Sequence, residues 1–165
     1  MAAGRQPDQP QPGQPRRPRG SRRSRARRLA MQAIYQWQLN PQPAAGLIAE
    51  YDAQSDMDGA DRSLFAELVQ GVVRDPAALD AQLEPHLDRP ATQVDPLEHA
   101  LLLLGVEELL RQPAVPALVV LNEYIELAKQ YGAQKSHAYI NGVLEPVART
   151  LRPAEFKDLP RRERQ

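Results

Sequence analysis

Five arginines, Arg22, Arg23, Arg25, Arg27 and Arg28, crowd seven consecutive positions near the start of the chain. A guanidinium is always charged and presents a planar fork that matches phosphate, so a dense arginine run is the footprint of a polyanion-binding surface. In a helix these residues would occupy the first turns, where the macrodipole is already positive. They repel the dipole and one another, and an external anion relieves that. Gln32 and Tyr35 follow on the same side as Arg28. Tyr139 stands in the first turn of a later helical segment, just after Gln134, Lys135 and Ser136. Free backbone N–H groups at a helix start attract phosphate, and a tyrosine ring there offers a stacking platform for an unpaired base.

Other chemistries find little support. No cysteine is present, which excludes disulfides, thiolate metal sites and cysteine nucleophiles and fits a reducing, cytoplasmic setting. Neither GxxxxGK[ST] nor GxGxxG occurs. His86, His99 and His137 are too scattered to indicate a metal site. Ser136 and His137 are neighbours in sequence only, which reads as a helix cap beside a surface histidine. Glu107, Glu108, Glu123 and Glu126 read as solvent-side acids. No catalytic residue, metal or cofactor is therefore expected.

The elements that must position the basic residues are all helical. In Ser21 to Leu39, Ala26, Leu29, Ala30, Ala33, Ile34 and Trp37 share one face, while Arg28, Met31 and Tyr35 fall on a wet one. Pro41 and Pro43 stop this helix. A short helix is expected around Leu47, Ile48 and Tyr51, then a loop over 54–60. Asp61 caps a helix to Arg74. Asp75-Pro76 and Asp95-Pro96 each read as an N-cap followed by a first-turn proline, with Pro85 ending the earlier of the two helices. The helix from Leu97 to Arg111 is apolar on most sides, hence central, with Gly105 allowing a close crossing. Ala117 to Tyr131 is helical, with Gly132 as its C′ residue and Ser136 capping the last helix. The expectation is an all-α bundle of about seven helices with short connections over 21–151, between a disordered Pro/Gln/Arg-rich arm (1–20) and a polar frayed tail (152–165).

The formal net charge is zero, yet residues 1–28 carry nine arginines and one aspartate, so the remainder of the chain is as acidic as this arm is basic. Such asymmetry suits a protein that meets nucleic acid along one edge. No apolar run approaches the roughly 18 residues of a membrane span. The arginines are not followed by the apolar stretch of a secretory signal, and an organellar transit peptide is disfavoured because they run straight into a core-forming helix.

Four stretches carry a family resemblance: RARRLAMQAIYQWQL (25–39), LFAELVQGV (64–72), EHALLLLGVEEL (98–109) and NEYIELAKQYGAQKSHAYINGVLEPVA (122–148). Together they span most of 22–151, and the chain resembles the NusB family of bacterial transcription antitermination factors. The resemblance implies an all-helical fold of two helical subdomains and binding to boxA RNA in nascent ribosomal leaders, jointly with NusE, a small-subunit ribosomal protein, within an assembly on RNA polymerase. It implies RNA contacts at Arg22, Arg23, Arg25, Arg27 and Tyr139, and partner contacts at Tyr35 and Glu98; Arg28, Gln32 and Lys135 lie beside the expected RNA face. Tyr139 replaces a phenylalanine of the motif, and Arg28 and Lys135 stand where acidic residues are common. Some relatives form homodimers. Two other readings are a NusB-like domain of a ribosomal RNA cytosine methyltransferase, whose glycine loop and cysteine these 165 residues lack, and a protein-only helical adaptor.

Overall fold

The computed structural model describes residues 21–160, so the expected disordered arm lies outside the described residues. Seven α-helices follow in order: α1 (Ser21–Leu39), α2 (Ala44–Asp52), α3 (Arg62–Arg74), α4 (Pro76–Leu83), α5 (Pro96–Arg111), α6 (Ala117–Tyr131) and α7 (Ser136–Leu151), with no strand among the described residues. The starts follow the sequence logic. Asp61 accepts from the Leu64 N–H at 3.0 Å, Asp75 from Ala78 at 3.1 Å and Asp95 from Leu97 at 2.9 Å, with Pro76 and Pro96 at the first helical position.

Two caps differ from expectation. Ser136 does not cap α7: Lys135 holds that position, and the Ser136 hydroxyl instead donates to Glu98 at 2.7 Å. Gly132 ends α6 at φ −86, outside the left-handed region. Helix α7 also continues through Pro146, because Val143, Leu144, Val147 and Ala148 bury on either side of it and outweigh the missing hydrogen bond.

Helix α5 is the axle. Every residue from Ala100 to Leu109 is buried, and α1, α3, α4, α6 and α7 all pack against it. α1, α2 and α3 gather at one end, α6 and α7 at the other, and a single hydrophobic cluster runs through both. The expected close crossing at Gly105 is present: a Cβ there would lie 2.7 Å from Leu144 Cδ1 of α7.

The buried stretch of α5 includes Glu107 and Glu108, which corrects their placement at solvent-side positions. Glu108 is fully buried and receives both prongs of the Arg27 guanidinium, Nε at 2.8 Å and Nη2 at 2.8 Å, plus the Tyr124 hydroxyl at 3.0 Å. Arg27 Nη1 lies 3.5 Å from Glu123. Burial alone would lower the Arg27 pKa, but the bond to Glu108 and its charge leave it raised. Met31, placed on the wet side of α1 by its spacing, is buried too.

The stretch after α7 is not a frayed tail as far as residue 160. Arg152 donates to the carbonyls of Leu109 and Gln112 at 2.9 and 2.8 Å, and Glu155 accepts from the Ala117 N–H at 2.9 Å. Phe156 is buried beneath Arg149, whose guanidinium lies 5.0 Å from the ring centre. The polar composition hid one apolar anchor and one arginine that closes the open carbonyls at the end of α5.

Two stability measurements follow from this packing. Phe156→Ala is expected to cost about 3 kcal/mol, near the lower end for a buried Phe, in a urea titration; a frayed tail would give no change. Glu107 is buried against Gly71 with Arg111 3.9 Å away. Burial raises its pKa, with Arg111 and Arg74 opposing. The folded state thus prefers the protonated carboxyl, so this group's favourable contribution is present below its unfolded pKa and vanishes as pH rises through the folded one. Glu107→Gln is therefore expected to raise Tm by a few degrees at pH 7 and to change it little at pH 4.

Candidate nucleic-acid interface

The polar side of α1 presents the arginines in sequence, and the structure sorts them. Arg22 is exposed and borders the groove over 57–63, its carbonyl accepting from the Asp61 N–H at 3.0 Å. Arg25 is half-buried, donates from Nη1 to the Asp58 carbonyl at 3.2 Å and lies over Gly59, the glycine with φ +80. Arg23 is half-buried, and its Nε is buried with no hydrogen-bond partner among the described residues. Arg28 is half-buried on the edge of an open groove of about 450 Å³ between α1 and α6, shared with Arg25, Glu123 and Gln130.

Arg27 does not belong with them. It is 2% exposed, with Nε and Nη2 bonded to Glu108 and Nη1 facing Glu123 at 3.5 Å, so it presents little to a phosphate in this arrangement. Of the expected RNA contacts on α1, it is the one that the fold turns inward. Ser24, which interrupts the arginine run, donates its hydroxyl to Glu123 at 3.0 Å and so ties the basic end of α1 to α6.

Further along α1, Gln32 and Tyr35 line a second groove of about 540 Å³ with Glu98 of α5 and Ser136 of α7. Tyr35 is 39% exposed, and Met31 and Leu97 supply apolar walls. The structure therefore brings Tyr35 and Glu98, far apart in sequence, to one surface. Lys135 is exposed immediately before Ser136, and Tyr139 stands one turn beyond it on the same helical face.

Tyr139 is more enclosed than its place before the apolar stripe implies. It packs against the core, and its hydroxyl is buried without a partner among the described residues. Its N–H is not free either, donating to the Lys135 carbonyl at 3.3 Å. Burial holds the Tyr139 hydroxyl above its ordinary pKa, with Asp88 adding to the rise and Arg89 opposing it. The Arg89 guanidinium covers the ring at 5.3 Å from its centre. Sequence reasoning passed over Arg89, which lies in the connection after α4, and no spacing rule links it to Tyr139. Among the described residues, no group of three or more His, Cys, Asp or Glu could hold a metal ion, and no helix is long and apolar enough to cross a membrane.

What remains are three features: guanidinium groups at the start of α1, a partly apolar groove around Tyr35 and Glu98, and an aromatic ring under an arginine at the start of α7. Phosphate, a protein side chain and a base are the chemistries these parts suit.

Comparison with known proteins agrees with the motifs. The NusB family model matches residues 24–149. The transcription antitermination protein NusB of Nitrosococcus oceani is 46% identical over 139 residues, covering 84% of this chain and 93% of that protein. Its counterpart from Teredinibacter turnerae is 48% identical over 132 residues, covering 79% and 90%. Among solved structures, T. maritima NusB superposes with a TM-score of 0.70 at 20% identity, covering 81% of this chain and 96% of that one, which supports the fold. A chain from a crystal structure of the antitermination factors NusB and NusE in complex with double-stranded RNA gives a TM-score of 0.65 at 25% identity, covering 77% and 96%. With a family model spanning all seven helices and relatives this similar over most of their length, the chain belongs to the NusB family.

Proposed function

We propose that the protein is a transcription antitermination factor that binds boxA-type RNA of nascent ribosomal leaders together with NusE, within an RNA polymerase assembly in the cytoplasm, and that it is not an enzyme. Family membership over 24–149 carries this reading. The relatives are named as antitermination proteins, and a structural neighbour is a complex containing NusE and RNA. The surface supports it in physical terms. Arg22, Arg25 and Arg28 remain outside the core after Arg27 has been withdrawn, giving RNA a row of charge. The groove around Tyr35 and Glu98 offers a protein partner an aromatic edge and a carboxylate over an apolar wall.

The methyltransferase-domain reading is less well supported, because the similar relatives are antitermination proteins matched over 90% or more of their own length. The adaptor reading leaves the basic start of α1 without a purpose.

The test is a titration of the full chain with single-stranded boxA RNA, a scrambled strand and a boxA duplex, each with and without NusE. Binding is expected to favour the boxA strand and to tighten with NusE. Replacing Arg22, Arg25 and Arg28 together by alanine should weaken binding and flatten the slope of log K against log[salt], by about 0.7 for each phosphate that the variant no longer neutralises. Failure to bind any RNA, alone or with NusE, would favour the adaptor.

A further inference from the structure

The Asp88–Arg89 pair over Tyr139 supports an inference that rests on the RNA reading above. Packing against the core, not a hydrogen bond at its buried hydroxyl, holds the Tyr139 ring in place. Arg89 lies over the ring, its Cζ 5.3 Å from the centre. Asp88 grips the same guanidinium in its plane, accepting from Nε at 2.8 Å and from Nη2 at 3.0 Å. The Arg89 side chain is nonetheless 45% exposed. A planar cation is therefore held by its neighbour beside an aromatic ring while much of it stays open to solvent.

A base approaching Tyr139 meets this guanidinium first. Pushing it aside forfeits the cation–π interaction and moves a positive charge away from an incoming polyanion. Stacking on it keeps both the interaction and the charge and adds a base–guanidinium stack, an arrangement common in recognition of unpaired RNA. We propose that Arg89 is a direct RNA contact, its plane backed by Tyr139 and oriented by Asp88 to form the surface on which an unpaired base stacks.

The experiment uses the full chain, single-stranded boxA RNA and the corresponding duplex as probes, and fluorescence anisotropy as the readout. Circular dichroism checks that each variant is folded. Arg89→Ala is expected to weaken binding to the single strand about tenfold, in the range for loss of one stacked base, with a much smaller effect on the duplex. Arg89→Lys keeps the charge but not the plane and should lie nearer to Arg89→Ala than to the unaltered protein. Arg89→Ala combined with Tyr139→Ala should be no weaker than the worse single variant, since both belong to one stack.

If Arg89→Ala binds as tightly as the unaltered protein or tighter while Tyr139→Ala loses affinity, Arg89 is only a cover that the base displaces. Full rescue by lysine would reduce its role to charge. If the Arg22, Arg25 and Arg28 variant loses RNA while Arg89→Ala and Tyr139→Ala both bind normally, this inference falls and the RNA reading stands. If none of these variants alters RNA binding, both fall together.

Discussion

The fold turns on an ion pair that contains no apolar atom at its point of contact. Arg27 of α1 and Glu108 of α5 meet in the core at 2.8 Å, and Tyr124 of α6 donates to the same carboxylate. Two charges removed from water are tolerated only where geometry and further hydrogen bonds compensate each of them. Here the guanidinium meets Glu108 through two nitrogens and approaches Glu123 with a third, while Glu108 takes a third donor from Tyr124. The network joins three helices at one point. It also fixes the rotation of α1 about its axis, because moving Arg27 out of register would leave Glu108 buried and unpaired.

That rotation decides what α1 shows to solvent. With Arg27, Met31 and Ile34 turned inward, Arg25 and Arg28 reach the grooves beside α6 and the 57–63 loop, and Gln32 and Tyr35 reach the groove against α5 and α7. A basic row and a partner groove on one helix are thus set by a single buried contact. Ser24 reinforces the arrangement through Glu123, and the Ser136–Glu98 bond joins the far end of the groove to α5.

Much of this was legible in the sequence, and what was not has identifiable causes. The aspartate–proline pairs at 75–76 and 95–96 marked helix starts, because a side-chain acceptor and a fixed φ act locally. Tyr35 and Glu98 were tied to a common partner only through the family motif, and the structure places them in one groove. The inward turn of Arg27 was hidden because a run of like charges reads as one surface. Its i, i+4, i+7 relation to Met31 and Ile34 pointed inward, and Glu108 in a largely apolar helix asked for a buried partner. The docking of Phe156 and the placement of Arg89 over Tyr139 are tertiary juxtapositions made by residues outside the seven helices, for which a periodicity argument has no purchase.

The central claim is that Arg27 belongs to the fold and not to the RNA surface. Stability and boxA affinity should be measured on Arg27→Met alone and on Arg27→Met/Glu108→Leu/Tyr124→Phe, which removes the buried network whole. The single variant is expected to lose about 3–5 kcal/mol of stability, since Glu108 is left buried without its cation. The triple variant should recover most of that loss, and its folded form should bind RNA as tightly as the unaltered protein. If Arg27→Met instead keeps full stability and loses RNA affinity, Arg27 is an RNA contact and the claim is wrong.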